Sequence, residues 1–584
     1  MAFRILLSVA RLGCTLVVCL LLFFPSPLVA QERPGIDPTL RSGDRQDPLL
    51  KEDEDVLPAP TITPPEVPDE DIRSGEQSQL GPRIKVWAKQ IRTIGNNTFS
   101  DAQLAAITKP FLNQQLDYQD LEQIRRNLTL HYIQNGYINS GAVLPDQTVT
   151  DGVVTFVIVE GQLTEVNISG NRWLRDWYYK SRVRLASGPP VNISDLEQRL
   201  QLLQQEDMIR RVQAELKPGL APGKSVLALQ VEERLPVDVW VAFNNYQSPS
   251  VGAERGLISL AHRSLTGLGD RLSFTYGRSR GLDPLVDVAY QIPFTPWDTE
   301  LGLRYRKNDF DIVEEQFKDL DIESESEIYE IRLRQPVWHT PSHELAIGLI
   351  GERLHSQSWI LGTPYSFSAG TEDGESTVAA LRFFQEYLYR TRQNVVAVNS
   401  RFSWGLDTLD ATQHDNEDPD GQFFAWLGQF QWAGIIDPLG IQTILRTDAQ
   451  FSNAPLLALE QMPVGGRYSV RGYLENQLVR DNGVVASLEI RIPLIQNTVW
   501  ADYLQVAPFF DYGQAWYEEA STPDPRTIYS VGVGLRWALT MMTDPFPIST
   551  ALEVYWGHQL EEVENDGDTL QHDGFHFQLA VSGF

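Results

Sequence analysis

The sequence predicts an α+β repeat, β-α-α-β-β in each of two copies, followed by an all-β transmembrane barrel of sixteen antiparallel strands. Three observations predict it. Gly95-Asn96 recurs as Gly170-Asn171 and Asp120-Leu121-Glu122-Gln123 recurs as Asp195-Leu196-Glu197-Gln198, both at a spacing of 75 residues, so one module is repeated. From residue 236 the chain changes to apolar/polar alternation in segments of about ten residues split by turns or acidic loops, the pattern of an outer-membrane barrel wall. An export signal opens the chain, and beyond residue 30 no run approaches the roughly 18 apolar residues of a spanning helix.

Residues 1–30 carry Arg4 and Arg11, an apolar run from Thr15 to Phe24, and Pro25-Ser26-Pro27-Leu28-Val29-Ala30 before Gln31, the layout of a signal peptide cut after Ala30. Both cysteines, Cys14 and Cys19, fall inside it, so the mature chain has no disulfide framework. Residues 31–83 are rich in proline and acid, with no periodic apolar face, and read as an extended linker.

The first module, 84–161, reads as a strand over Ile84–Ile94, then a short helix capped by Ser100-x-x-Gln103. A second helix follows with Leu121, Ile124, Leu128 and Tyr132 on one face and a stop at Asn135-Gly136. Strands Ile138–Leu144 and Val153–Glu160 complete it. The second module, 162–235, reads as a strand Leu163–Ser169, a helix near Leu174–Leu185, a helix opened by Ser194-x-x-Glu197, and strands Arg210–Leu216 and Ser225–Glu232.

Residues 236–584 form the barrel. Leu272, Phe274 and Tyr276 oppose Arg271, Ser273 and Thr275, while Leu488, Ile490 and Ile492 oppose Ser487, Glu489 and Arg491. A soluble barrel and a membrane barrel both alternate in this way, so the export signal and the many charged strand residues decide for lipid outside. Phe584 falls on the wrong parity of the last segment, Phe575–Phe584.

Two segments carry the functional reading. Gly465-Gly466-Arg467-Tyr468-Ser469-Val470-Arg471-Gly472-Tyr473 is a compact segment with two cations, in the long loop around 460–482 between the eleventh and twelfth strands. Gly465 and Gly466 support its tight backbone. In Leu504–Gly513, alternation puts Phe510 and Tyr512 on one face and Asp511 and Gly513 on the other; with the apolar face on lipid, Asp511 points into a lumen and is a candidate partner for the planar fork of Arg471.

Val470-Arg471-Gly472-Tyr473, the strand motif Phe509-x-Asp511-x-Gly513 and the tandem modules together resemble the two-partner secretion transporters (TpsB type) of the outer-membrane assembly and translocation superfamily. The resemblance covers about residues 84–584. It implies that the modules are POTRA domains in the periplasm, and that the first segment is the sixth extracellular loop, folded back into the lumen. It also implies that Arg471 pairs with Asp511 on the thirteenth strand while Val470, Gly472 and Tyr473 shape the loop tip. The implied function is secretion of an unfolded exoprotein, an adhesin or haemolysin-like protein, through a monomeric pore in outer-membrane lipid, without nucleotide hydrolysis. Many members place a plug helix before the first POTRA domain; residues 31–83 offer no helical stripe for one. The alternatives are an assembly or protein-import factor of the same superfamily, and a passive porin.

Other chemistry is absent from the pattern. The formal net charge of −29 argues against a nucleic-acid partner. Gly219-Leu220-Ala221-Pro222-Gly223-Lys224-Ser225 is one residue short of a phosphate loop and joins two strands, so it reads as a hairpin turn. The acidic stretch Asp415–Gly421 has Leu427 where a calcium loop needs Glu. With nine histidines, no mature cysteine and neither G-x-S-x-G nor H-E-x-x-H, we expect no metal, no cofactor and no catalytic residue.

Overall fold

The computed structural model describes residues 62–63 and 85–583, apart from 316, 416–417, 437–438, 543–546, 564 and 566. The signal peptide, nearly all of the linker, the plug-helix question and Phe584 lie outside the described residues.

The two modules share one sheet topology. In the first, Gln90–Ile94 runs parallel to Val153–Val159, and Gly141–Val143 pairs antiparallel on its other side. In the second, Gln162–Ser169 runs parallel to Lys224–Glu233, and Ile209–Pro218 pairs antiparallel. The repeated Gly-Asn ends the first strand of each. Gly95 and Gly170 take φ of +84° and +90°, and a Cβ there would lie 2.5 Å from the Ile158 carbonyl oxygen and 2.2 Å from that of Val231, so only glycine lets the turn close onto the sheet. A glutamate at the last strand's end holds each turn. Glu160 accepts from the Asn97 amide and side chain, Thr98 and, at 3.3 Å, the Tyr132 hydroxyl. Glu233 accepts from the Arg172, Trp173 and Leu174 amides and the Tyr179 hydroxyl.

The helices Asp101–Thr108, Tyr118–Gln134, Asp176–Arg184 and Ile193–Gln204 cover these sheets. Ile124, Leu128 and Tyr132 are fully buried with Phe156 in the first core. Two details depart from the sequence reading. The first strand breaks at Lys89, because the amides of Lys89 and Gln90 both donate to Gly152 O, and Val86–Ala88 turns aside to pair with an extra strand, Gln114–Leu116. In the second module, the fourth helix is capped by Asn192, whose extended backbone lets its side chain accept from Ser194 N. Ser194 is therefore inside the first turn and opens no Ser-x-x-Glu box. Gly219–Ser225 makes a hairpin turn, with Gly219 N donating to Lys224 O.

The remainder closes into a barrel of sixteen antiparallel wall strands, from Val237–Asn244 to Phe575–Gly583, which pair with each other at the seam; a two-residue strand, Thr363–Pro364, extends the seventh. Burial settles the face that alternation leaves open. Phe274, Leu303, Leu488, Phe510, Val531 and Leu535 are exposed on the outside, whereas Ser487, Glu489, Arg491, Asp511, Ser530 and Arg536 are buried on the inside. Apolar residues thus form a lipid-facing surface, and charges are concealed within the wall.

The second module sits under the barrel's short turns. Arg182 donates to Asp298 in the turn between the fourth and fifth wall strands, at 2.5 and 3.0 Å, and Arg175 N donates to Gly267 O in the preceding turn. Gln205 Nε2 reaches Pro341 O in the next. The outer edge of this module's sheet, Ile209–Pro218, is taken by Ile62–Thr63 as a parallel strand.

Candidate functional site

Between the eleventh wall strand, Ile441–Ser452, and the twelfth, Asn482–Thr498, the chain leaves the wall on the side away from the modules and returns through the lumen. Its two arms are joined as a small hairpin, Met462–Val464 with Leu478–Arg480. The tip between them turns where it does because Gly465, Gly466 and Gly472 take φ of +119°, +98° and +92°, conformations that cost an L side chain strain.

Arg471 lies at the centre of the tip. Its Nε donates to Asp511 Oδ2 at 2.7 Å, Nη2 to Asp511 Oδ1 at 2.8 Å, and its own amide to Asp511 Oδ2 at 3.0 Å. Nη2 also reaches Ser487 Oγ, which donates to Asp511 at 2.6 Å, and Nη1 donates to Glu489. The guanidinium stacks on Phe509, 3.6 Å from the ring centroid. Ser487, Glu489, Phe509 and Asp511 face inward from two adjacent strands because residues two apart share a face. The bidentate fork fixes both direction and register of the loop against the wall.

The other members of the two motifs lie around this pair. A Cβ on Gly513 would meet Val464 Cγ1 at 2.4 Å and Val470 Cγ2 at 2.7 Å, so its missing side chain is the space the loop valines fill. Gly472 lies on Gly557 of the fifteenth wall strand, backbone to backbone. The Tyr473 hydroxyl donates to Glu561 O at 2.7 Å, tying the tip to the eighth outer loop. Gly466 stands against the Glu475 carboxylate, which accepts from Arg467 N at 2.7 Å; Gly465 N donates to Ser469 Oγ.

Arg471 is 2% exposed and Asp511 0%, so the water screening that a lumenal position suggests is absent. The loop itself excludes solvent. A pair so enclosed attracts more strongly, and losing one member strands the other, at a cost of about 3–5 kcal/mol.

Sequence reasoning missed much of the surrounding set. Arg467 Nη2 binds Glu553 at 2.9 Å, and Arg536 binds the same carboxylate at 2.6 Å. Arg491 holds Glu489 at 2.6 Å, and His576 Nε2 accepts from Gly472 N at 3.3 Å. On the far side of the lumen Arg382 clasps Glu460. A charged residue at an inward position of an otherwise apolar-alternating strand was the available signal, and Glu489, Arg491 and Arg536 all carry it. Their partners are set by loop path, which alternation does not encode. Among the described residues no cluster suits a metal ion.

The family description "Haemolysin secretion/activation protein ShlB/FhaC/HecB" matches residues 223–537, and "POTRA domain, ShlB-type" matches residues 87–161. The outer membrane transporter CdiB of Dickeya dadantii (strain 3937) is 23% identical over 479 residues, covering 79% of this chain and 82% of that protein. The heme/hemopexin transporter protein HuxB of Haemophilus influenzae (strain ATCC 51907 / DSM 11121 / KW20 / Rd) is 20% identical over 484 residues, with coverages of 79% and 82%. The solved structure of CdiB from Escherichia coli superimposes with a TM-score of 0.63 at 19% identity, over 89% of this chain and 94% of that one, which establishes the likeness of fold.

Proposed function

The chain belongs to the haemolysin secretion/activation family ShlB/FhaC/HecB, and from that membership we propose that it is an outer-membrane pore for a single secreted exoprotein, captured unfolded in the periplasm by its POTRA modules. The modules lie on the periplasmic side, beneath the barrel's short turns, and the long loops face outward. Relatives named as an outer membrane transporter and as a heme/hemopexin transporter support a transport role, and the cargo here is argued as a class: a long, unfolded, secreted chain, adhesin or haemolysin-like.

The observation that carries the capture step is the sheet edge of the second module. Ile209–Pro218 already accepts an extended segment, Ile62–Thr63, as a parallel strand. Strand addition uses backbone hydrogen bonds, so it takes many sequences, as an unfolded cargo requires. The captured chain then passes to the pore mouth above, where Arg182 and Asp298 hold module to barrel. Transport uses no nucleotide; folding of the cargo outside draws it through. Arg471 and Asp511, with Phe509 and Gly513, hold the sixth loop in the shape from which the lumen opens.

The test compares culture supernatants and outer-membrane fractions from cells carrying the intact gene, a deletion, and Arg471→Ala. Loss of one large exoprotein from the medium, with the membrane profile intact, supports the reading. Disappearance of many barrel proteins makes the chain an assembly factor instead.

A further inference from the structure

The sixth loop is fixed to the wall at two places that face each other across the lumen. Its tip binds the thirteenth and fifteenth wall strands through Arg471–Asp511 and Arg467–Glu553. Its stem binds the eighth. There Arg382, on wall strand Glu375–Arg390, donates Nη2 to Glu460 Oε1 at 2.8 Å and Nη1 to Glu460 Oε2 at 3.1 Å. The neighbouring stem residues Leu456 and Leu457 pack on Leu354, Val378 and Ala380 of the seventh and eighth strands. In a closed wall of sixteen, the eighth strand lies five to seven strands from the tip's anchors, so the loop crosses the lumen as a strap.

The two anchors differ in what release would leave behind. Arg382 keeps other partners without the loop: Glu352 accepts from its Nε at 2.7 Å and Ser403 from Nη1 at 2.8 Å, both from flanking wall strands. Freeing Glu460 moves one carboxylate into lumenal water and strands no wall charge. Freeing Arg471 would remove from Asp511, fully buried, both arms of its fork and an amide donor, leaving it Ser487. An uncompensated buried charge is the expensive outcome, so the stem is the end of the strap that lets go.

We propose that Arg382 is a positioning residue that gates the pore: its clasp on Glu460 keeps the strap across the lumen, and the stem swings from this clasp while the tip stays locked on Asp511. The inference rests on reading the barrel as a protein-conducting pore. Ion conductance is therefore measured on the purified full chain in planar bilayers with no cargo, so that its failure is separable from failure of that reading. Glu460→Gln, which loses the charge-assisted fork, is expected to raise the frequency of wide openings at least about tenfold, in proportion to hydrogen bonds to a charged group. Conductance indistinguishable from wild type overturns the proposal.

Both cysteines of the chain, Cys14 and Cys19, precede residue 20, in the expected signal peptide, which allows a second test on already folded protein. Arg382→Cys with Glu460→Cys, bridged by a short reducible bis-maleimide, is expected to lose the wide openings and to stop secretion in cells, both returning on reduction. Wide openings or secretion that persist in the bridged protein overturn it.

Discussion

Gly472 and Gly557 meet with no side chain between them: a Cβ on Gly557 would sit 2.7 Å from both Arg471 O and Gly472 N. The loop tip therefore rests directly on the fifteenth wall strand, and this backbone contact, made through the Arg471–Gly472 peptide, aims the Arg471 side chain at Asp511. Gln559 of the same strand fixes the contact by donating to Gly472 O at 2.8 Å.

Gly557→Ala is accordingly expected to lift the tip and destabilise the docked loop by about 1–3 kcal/mol, the usual cost of overpacking. Secretion falls while the barrel still inserts, shown by unchanged heat-modifiable migration of the membrane fraction. Gly472→Ala adds backbone strain at a φ of +92° and is the more severe of the two.

Arg471→Lys retains the charge and removes the fork. One ammonium cannot serve Asp511, Glu489 and Ser487 together in the geometry the guanidinium holds. The expected loss is about 2 kcal/mol of loop docking, intermediate between wild type and Arg471→Ala, read as faster proteolysis of the loop in intact cells.

Asp298→Ala breaks the ion pair that Arg182 makes across the junction of module and barrel. Arg182 is largely buried and Asp298 partly exposed, so the expected cost lies between surface and buried limits, about 1–3 kcal/mol. Spin-label distances between the second module and the barrel turns broaden, and secretion drops without loss of barrel insertion.

The first module has a defined acid limit. Burial raises the Glu160 pKa, but the bonds from Thr98, Asn97 and Tyr132 outweigh it and hold the group below the ordinary glutamate range. A depressed folded-state pKa contributes stability that is present above the unfolded value and lost as pH falls through the folded one. Hydrogen exchange of the Asn96–Phe99 turn in the full chain is expected to quicken only below the usual carboxylate range. Glu160→Gln abolishes that pH dependence and speeds exchange at neutral pH.

The repeat and the barrel were legible because each rests on local rules, whereas the pairing of the loop motif with the strand motif was implied by the resemblance. Gly95 and Gly170 are written by the φ they must adopt, Leu488 to Arg491 by the two-residue period of a strand, and Ser100-x-x-Gln103 by a capping bond that closes within one turn. The Ser194 box failed by the same locality, since Asn192, two residues earlier, takes the cap position and accepts from Ser194 N, which puts Ser194 inside the helix.

What the sequence by itself determined is therefore the class of each segment and the parity of each side chain. How deeply Arg471 and Asp511 are enclosed, and that Arg382 finds Glu460 across 78 residues of chain, were decided only when the loop folded into the lumen. The reason is physical. Alternation fixes a side chain to one of two faces, but its burial and its partner depend on what fills the space opposite, and here that space is filled by a segment from elsewhere in the chain.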